Sequence, residues 1–147
     1  MTFVEAFETC FSKYCDFDGR ATRSEYWYFK LFNFLVGFVI VSIFNMRIAC
    51  GYYLAVTMPC MTVAVRRLHD IGKPGSLAVL NSSIGLINTV MILVMDEYLA
   101  LLLLRTNVSF QILGAVQCVG GIILQVMACQ DSQHGTNEYG PNPKGIE

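Results

Sequence analysis

The chain has 147 residues, of which 54% are hydrophobic and only 14% are charged. Soluble domains carry roughly 45–50% apolar and about 25% charged residues, so this composition argues against a soluble protein and indicates a membrane protein. The net charge of −1, with no basic stripe between aromatic residues, argues against nucleic-acid binding. The length suits a single domain, 1–147.

The first apolar pattern covers residues 1–16, which read as a short amphipathic helix. Thr2 and Glu5 have the spacing of a capping box. Aromatic residues then recur at helical spacing, at Phe3, Phe7, Phe11 and Tyr14. Two placements remain open: the helix lies on the membrane surface, or it packs on the protein's own cytosolic loops.

Four later runs are long enough to cross a hydrocarbon core, which takes about 20 residues. They cover residues 27–44, 48–65, 77–95 and 108–128, and a polar tail, 129–147, follows as an extended loop. The sequence therefore predicts an all-α integral membrane four-helix bundle with an N-terminal interfacial helix. Lys30 lies one turn inside the first run, where we expect it to snorkel to the headgroups. Pro59 interrupts the hydrogen bonding of the second run.

Residues 96–107 allow two interpretations. The favoured one is an outer loop or interfacial turn. In the other, the third span continues to Leu104 and buries Asp96 and Glu97, at roughly 2.5–3.5 kcal/mol for each acid near the helix centre.

Lysine and arginine placement predicts the topology. In the four-span arrangement only Arg47 and Arg105 fall on one side of the membrane. The other side carries Lys13, Arg20, Arg23, Arg66, Arg67, Lys73 and Lys144. The positive-inside rule then places both termini and the central loop in the cytosol.

Three polar clusters share the predicted cytosolic side, around positions 19–25, 66–70 and 135–143. Arg66 and Asp70 stand four residues apart and are expected to pair on one helix face. Arg20 and Arg23 are expected to pair with Glu25 or with Asp70. The candidate site residues are Arg20, Arg23, Glu25, Arg66, Arg67, His69, Asp70, Asn137 and Tyr139.

This cluster admits three roles. It could be an internal clamp that holds the tail and loop on the bundle. Its guanidinium groups could instead bind an anionic lipid headgroup or a phosphorylated ligand. His69 with Asp70 could act in an enzyme on a lipid headgroup, although no nucleophile stands at a telling spacing, so no catalytic residue is assigned.

The last two spans carry a second pattern of small and amide side chains. The predicted seam comprises Asn81, Gly85 and Asn88 of the third span and Gln111, Gly114, Cys118, Gly121 and Gln125 of the fourth. Small residues and amides promote helix packing in lipid, so these faces meet each other or copies of themselves in a homo-oligomer. Alternatively, they line the path of a small channel or transporter.

Six cysteines occur without a Cys-x-x-Cys pair or a histidine at ligand spacing. Zinc sites show such tight ligand pairs, so no metal site and no cofactor is predicted.

Three motifs resemble a bacterial inner-membrane family catalogued as domain of unknown function 805. They are Phe-x-Gly-Arg-x-x-Arg-x-Glu-Tyr-Trp at 17–27, Pro59 with Arg-Arg-Leu-His-Asp at 66–70, and Gly-x-Asn-x-Tyr-Gly-Pro-Asn-Pro at 135–143. The resemblance spans nearly the whole chain and implies an inner-membrane protein of about four helices, with no activity assigned.

Two departures from the family pattern matter. Glu138 stands where the family usually has a basic residue, which favours pairing with the arginines. The tryptophan that tends to follow the central loop is absent, since residues 75–78 are Gly-Ser-Leu-Ala. We expect a non-enzymatic, oligomeric membrane component that binds a partner or an anionic lipid headgroup through its arginine face.

Overall fold

A computed structural model describes residues 2–95, 99, 102 and 105–145. Five helices have described bounds, Leu99, Leu102, Arg105 and Thr106 are also helical, and the described residues form no strand, only an isolated bridge in the tail. The helices are α1 (Phe3–Ser12), α2 (Arg23–Ile43), α3 (Met46–Asp70), α4 (Ser76–Val94) and α5 (Val108–Cys129). The prediction of an all-α membrane bundle is confirmed, because α2 to α5 are each long and apolar enough to cross a membrane.

The four spanning helices begin and end within five residues of the predicted spans, and α2 begins four residues earlier than predicted. Helix α3 continues five residues past its predicted span, so the Arg-Arg-Leu-His-Asp motif forms its last turn. Helix α4 ends at Val94, before Asp96. The two interpretations of residues 96–107 fall largely outside the described residues.

Helix α3 is the central element and contacts each of the other four helices. The chain runs up and down, so α2 and α4 begin at the end of the bundle where α3 and α5 finish. We call this the arginine end, because Arg20 and Arg67 lie there between the helix termini. The opposite end holds the α2–α3 turn, where the Asn45 side chain accepts a hydrogen bond from the amide of Ile48.

Helix α1 packs against the spans themselves. The Thr2–Glu5 capping box is present, and Ala6 and Cys10 are buried. Phe7 contacts Phe32 of α2 edge-on at 4.7 Å between ring centroids. The aromatic stripe meets the sides of α2 and α3 and not the loops, and the placement of α1 on the membrane surface stays a prediction.

Tyr14, just after α1, donates a hydrogen bond to the α3 carbonyl that Pro59 leaves without a donor. Because proline has no N–H, the carbonyl of Ala55, four residues earlier in α3, loses its helical donor. The Tyr14 hydroxyl donates to that carbonyl. The defect predicted at Pro59 thus becomes the point at which the N-terminal segment is attached to α3.

Candidate functional site: a buried arginine cluster

Asp70 is the centre of the polar cluster at the arginine end. It is fully buried and ends α3. One carboxylate oxygen accepts from Arg20 Nε at 2.9 Å, and the other accepts from Arg67 Nη1 and from the Ser132 hydroxyl at 2.6 Å. A single buried acid therefore joins the segment before α2, the end of α3 and the tail.

All three nitrogens of Arg20 donate hydrogen bonds. Besides Asp70, the guanidinium donates to the carbonyls of Gly135 at 2.8 Å, Gly140 at 3.3 Å and Gln133 at 2.6 Å. It also reaches the Asp70 carbonyl at 3.2 Å. Carbonyls in the last turn of a helix have no helical donor and carry partial negative charge, so a cation there is favourable. Arg20 thus caps α3 and holds the folded tail at once.

Arg67 performs the same task at the end of α5. Its Nε donates to the Ala128 carbonyl at 3.2 Å, Nη1 to the Ala21 carbonyl at 3.3 Å, and Nη2 to the Gln130 carbonyl. The Gln130 carbonyl also accepts from Arg23 at 2.7 Å. These bonds tie α5 to α3 where both helices leave the bundle.

The pairing of Arg66 differs from the prediction. Arg66 does not pair with Asp70; its Nη1 lies 2.7 Å from Glu25 Oε1 of α2. Asp70 pairs instead with Arg67, three residues before it. Arg66 is fully buried, yet its Nε and Nη2 have no acceptor among the described residues. This second ion pair is consequently much less satisfied than the one at Arg20.

The tail folds back over the last turn of α3. The side-chain Nδ2 of Asn137 donates to the His69 carbonyl at 2.9 Å, and the backbone N–H of Gln133 donates to the Asp70 carbonyl at 2.9 Å. Tyr139 stacks on the His69 ring, with centroids 3.8 Å apart and planes within 4°. The third sequence motif, at 135–143, therefore packs over the second, at 66–70.

The tail acid that meets the basic residues is not the expected one. Glu138 is exposed and forms no ion pair within the described chain. Asp131 lies 3.7 Å from Arg23 and 2.7 Å from Lys144 instead. Its bond with Lys144 lowers the pKa of this exposed carboxyl to about 2.

Sequence reasoning missed Ser132 and the carbonyls of residues 128–140. Ser132 had no signal, since one serine in a polar tail is unremarkable. The carbonyl acceptors carry no side-chain signature at all. The glycines of the third motif offered a partial signal: Gly135 and Gly140 adopt φ values of +67° and +126°, which favour glycine. Both carbonyls accept from Arg20.

The predicted seam is only partly assembled between α4 and α5. Gln111, Cys118 and Gln125 are exposed and point away from this contact, while Gly114 and Gly121 are half-buried with open space beside them. The close approaches involve Gly120 with Asn81 and Gly85 with Gln117. Asn88 is half-buried on α4. The face of α5 that the small and amide residues predict is thus rotated away from the contact with α4. Its pairing with a second copy of the chain stays a prediction.

The described residues bring together no recognisable catalytic set. The Nδ1 atom of His69 lies 3.3 Å from the Gly19 carbonyl, and the ring is covered by Tyr139. Burial, together with the nearby Glu25 charge, raises the pKa of the Cys10 thiol to about 12, so it is a poor nucleophile. Within the described chain no three His, Cys, Asp or Glu side chains converge on a common point.

Comparison with known proteins agrees with this architecture. Inner membrane protein YhaI of Escherichia coli K12 is 28% identical over 138 residues, covering 89% of this chain and 88% of YhaI. Inner membrane protein YhaH of the same strain is 28% identical over 141 residues, covering 89% of each chain. No solved structure matches. The model of the family described as protein of unknown function DUF805 matches residues 14–141, and the chain therefore belongs to the DUF805 family.

Proposed function

We propose that this chain is a non-enzymatic component of the bacterial inner membrane, with both termini in the cytosol. The proposed role of its arginine cluster is to lock the loop before α2, the end of α3 and the tail into one rigid cytosolic cap. Such a cap offers a fixed surface to a binding partner. The membrane assignment draws on the names of YhaI and YhaH, and the orientation on the placement of lysine and arginine.

The observation that carries the clamp is the buried Asp70, which accepts from Arg20, Arg67 and Ser132 together. Because Arg20 and Arg67 already use their donors inside the protein, neither offers a free fork to a headgroup or phosphorylated ligand. Stacking of Tyr139 over His69 likewise favours a closed cap over a catalytic histidine. We therefore favour the clamp over direct anion capture and over a headgroup enzyme.

Hydrogen–deuterium exchange tests the clamp. In Asp70→Ala the tail loses its anchor, so amides of residues 130–145 should exchange at least tenfold faster in detergent micelles. The N–H of Gln133, which donates to the Asp70 carbonyl, is the most direct reporter. Asp131→Asn, which alters an exposed acid in the same tail, should leave these rates within twofold. Unchanged tail exchange in Asp70→Ala would contradict the clamp.

A reporter fused after Gly145 tests the orientation. A green fluorescent protein should fluoresce there, and alkaline phosphatase should be inactive, if the arginine end faces the cytosol. Active phosphatase at this position would reverse the proposed topology.

We also propose that the exposed polar stripe of α5, which comprises Gln111, Cys118 and Gln125, meets a second copy of the chain. Gln111 Nε2 already donates to the Arg105 carbonyl at 3.0 Å, whereas the Gln125 side chain makes no hydrogen bond among the described residues, and pairing across helices would supply one. Cys118 is exposed on this stripe, so mild oxidation of membranes should yield a disulfide-linked dimer that Cys118→Ser abolishes. A Cys15→Ser control should still cross-link, because Cys15 is exposed in the turn after α1 and does not lie on α5. Absence of a Cys118-dependent dimer would remove the proposed interface.

A further inference from the structure

A second polar site lies inside the bundle, separate from the arginine cluster. A cavity of about 150 Å³ is enclosed by α2, α3, α4 and α5. One water needs roughly 10–15 Å³ of such volume, so the cavity has room for a group much larger than a single water. Its polar wall includes Lys30, Asn33, Asn81 and Ser82, and apolar side chains such as Phe29 and Leu124 complete it.

The cavity lies at a consistent depth below the arginine end. Lys30 stands seven residues after the start of α2, Asn81 five after the start of α4, and Leu124 five before the end of α5. At 1.5 Å per residue these positions are about 7–11 Å from the helix ends. This is the depth at which a span passes from the headgroup region into hydrocarbon.

The cavity has access from the side of the bundle. Among the described residues α2 and α4 make no contact, and α2 touches α5 only slightly. Lys30 and Ser82 are both half-exposed rather than sealed in. A molecule in the surrounding leaflet can therefore reach the ammonium group between the helices.

Lys30 carries a charge that the described protein does not balance. Its ammonium donates one hydrogen bond, to the Tyr26 hydroxyl at 3.0 Å. No carboxylate lines the cavity, and the nearest acid of α2, Glu25, is paired with Arg66. An ionisable group within a span is costly unless it is paired, so the missing counter-charge points to an anion.

Two of the three other polar side chains in the cavity wall are also available to a ligand. Asn33 is occupied, since it donates to the Phe29 carbonyl at 2.8 Å and accepts from Tyr52 at 2.7 Å. The side chains of Asn81 and Ser82 make no hydrogen bond within the described residues. Lys30, Asn81 and Ser82 thus present donors from two helices to one small volume, which matches an acceptor with several oxygens.

We propose that this cavity binds a phosphate monoester or diester group, with Lys30 as its counter-ion and Ser82 and Asn81 as further donors. The lateral access and the apolar part of the cavity wall favour the phosphate of a membrane lipid as the source. A soluble phosphate would be bound by the same side chains. This site is independent of the clamp, because Lys30 takes no part in the Asp70 network.

Lipid titration of the detergent-purified full chain, followed by native mass spectrometry, tests the proposal. Palmitoyl-oleoyl phosphatidylglycerol is the probe, and the diacylglycerol with the same chains is its neutral match. We expect retention of phosphatidylglycerol but not of diacylglycerol, and at least tenfold weaker retention in Lys30→Met. Lys30→Arg and the control Lys73→Met, an exposed lysine at the same end, should stay within threefold of the native chain.

A soluble arm identifies the source of the phosphate. Trp27, the only tryptophan, contacts Tyr26 edge-on at 5.3 Å, so its fluorescence should report occupancy of the cavity. Binding of inorganic phosphate that depends on Lys30, without retention of phosphatidylglycerol, would support the phosphate site and assign it to a soluble ligand.

The contrary outcomes are equally definite. Equal retention of phosphatidylglycerol and diacylglycerol, or native binding by Lys30→Met, would overturn the proposal. If Lys30→Met does not fold, Ser82→Ala replaces it: this nearly isosteric change should weaken binding severalfold, and unchanged binding would overturn the site as well. Accelerated tail exchange in Asp70→Ala with intact lipid binding would separate this site from the clamp.

Discussion

The two ends of the bundle are held together by different forces. At the arginine end, fully buried side chains include two arginines, an aspartate and Leu68. Helix α4 buries only Ala78, and α5 only Leu124 and Ala128, and all three lie within about two turns of the arginine end. Lipid is as apolar as the helix surfaces, so burial gives α4 and α5 little reason to pack further out. Polar contacts therefore determine where this bundle is tight.

The largest effect should come from Asp70→Ala. Removing this acid leaves Arg20 and Arg67 buried without their counter-charge, which costs about 3–5 kcal/mol. The thermal unfolding temperature in detergent should fall sharply. Asp131→Asn is the matched control, because its exposed ion pairs are worth little. Equal thermal unfolding temperatures for the two variants would contradict the view that buried polar contacts hold the arginine end together.

The second ion pair should respond differently to single and double substitution. Glu25→Gln alone leaves Arg66 without its only ion-pair partner among the described residues and should destabilise by about 3 kcal/mol. Glu25→Gln with Arg66→Met removes both charges and also the Arg66 nitrogens that lack acceptors, so most of the loss should return. A double variant as unstable as the single one would show that Arg66 is better satisfied than its geometry indicates.

Neighbouring glycines of α5 test the weaker, lipid-exposed half. A Cβ at Gly120 would stand 2.6 Å from Asn81 Oδ1, whereas one at Gly121 meets nothing within 4 Å. Because the clash is with the end of the Asn81 side chain, which can rotate aside, Gly120→Val should destabilise the protomer by about 1 kcal/mol. Gly121→Val is matched in helix propensity and should unfold at nearly the native temperature. The comparison is lost if both variants melt alike.

The smallest effect should be a pH dependence at the surface of the cap. Lys144 holds the pKa of Asp131 at about 2, below the ordinary value of roughly 4. A depressed pKa stabilises the fold above the ordinary value, and this contribution disappears as the pH falls through about 2. The small difference in melting temperature between the native chain and Asp131→Asn should close between pH 4 and pH 2. If the difference in melting temperature stays constant from pH 4 to pH 2, the titration of Asp131 does not cause it.

The sequence by itself determined the class of the protein, because the bilayer imposes a length and an apolar composition on each span. It also selected most of the arginine cluster, since charged residues beside spans are rare enough to stand out. Spacing failed to assign the partners. Positions i and i+4 suggested Arg66 with Asp70, yet the last turn of α3 presents Arg67 to Asp70 and turns Arg66 toward Glu25.

Only the tertiary structure decided what the arginines hold. Most of their acceptors are backbone carbonyls at helix ends and in the tail, and every residue type carries the same carbonyl. It likewise decided which face of α5 meets α4 and which lysine lines a cavity. Lys30 reads in the sequence as one more snorkelling residue. The placement of four helices around it, with no acid among the residues that line the cavity, gives it an unbalanced charge and, in our proposal, an anionic ligand.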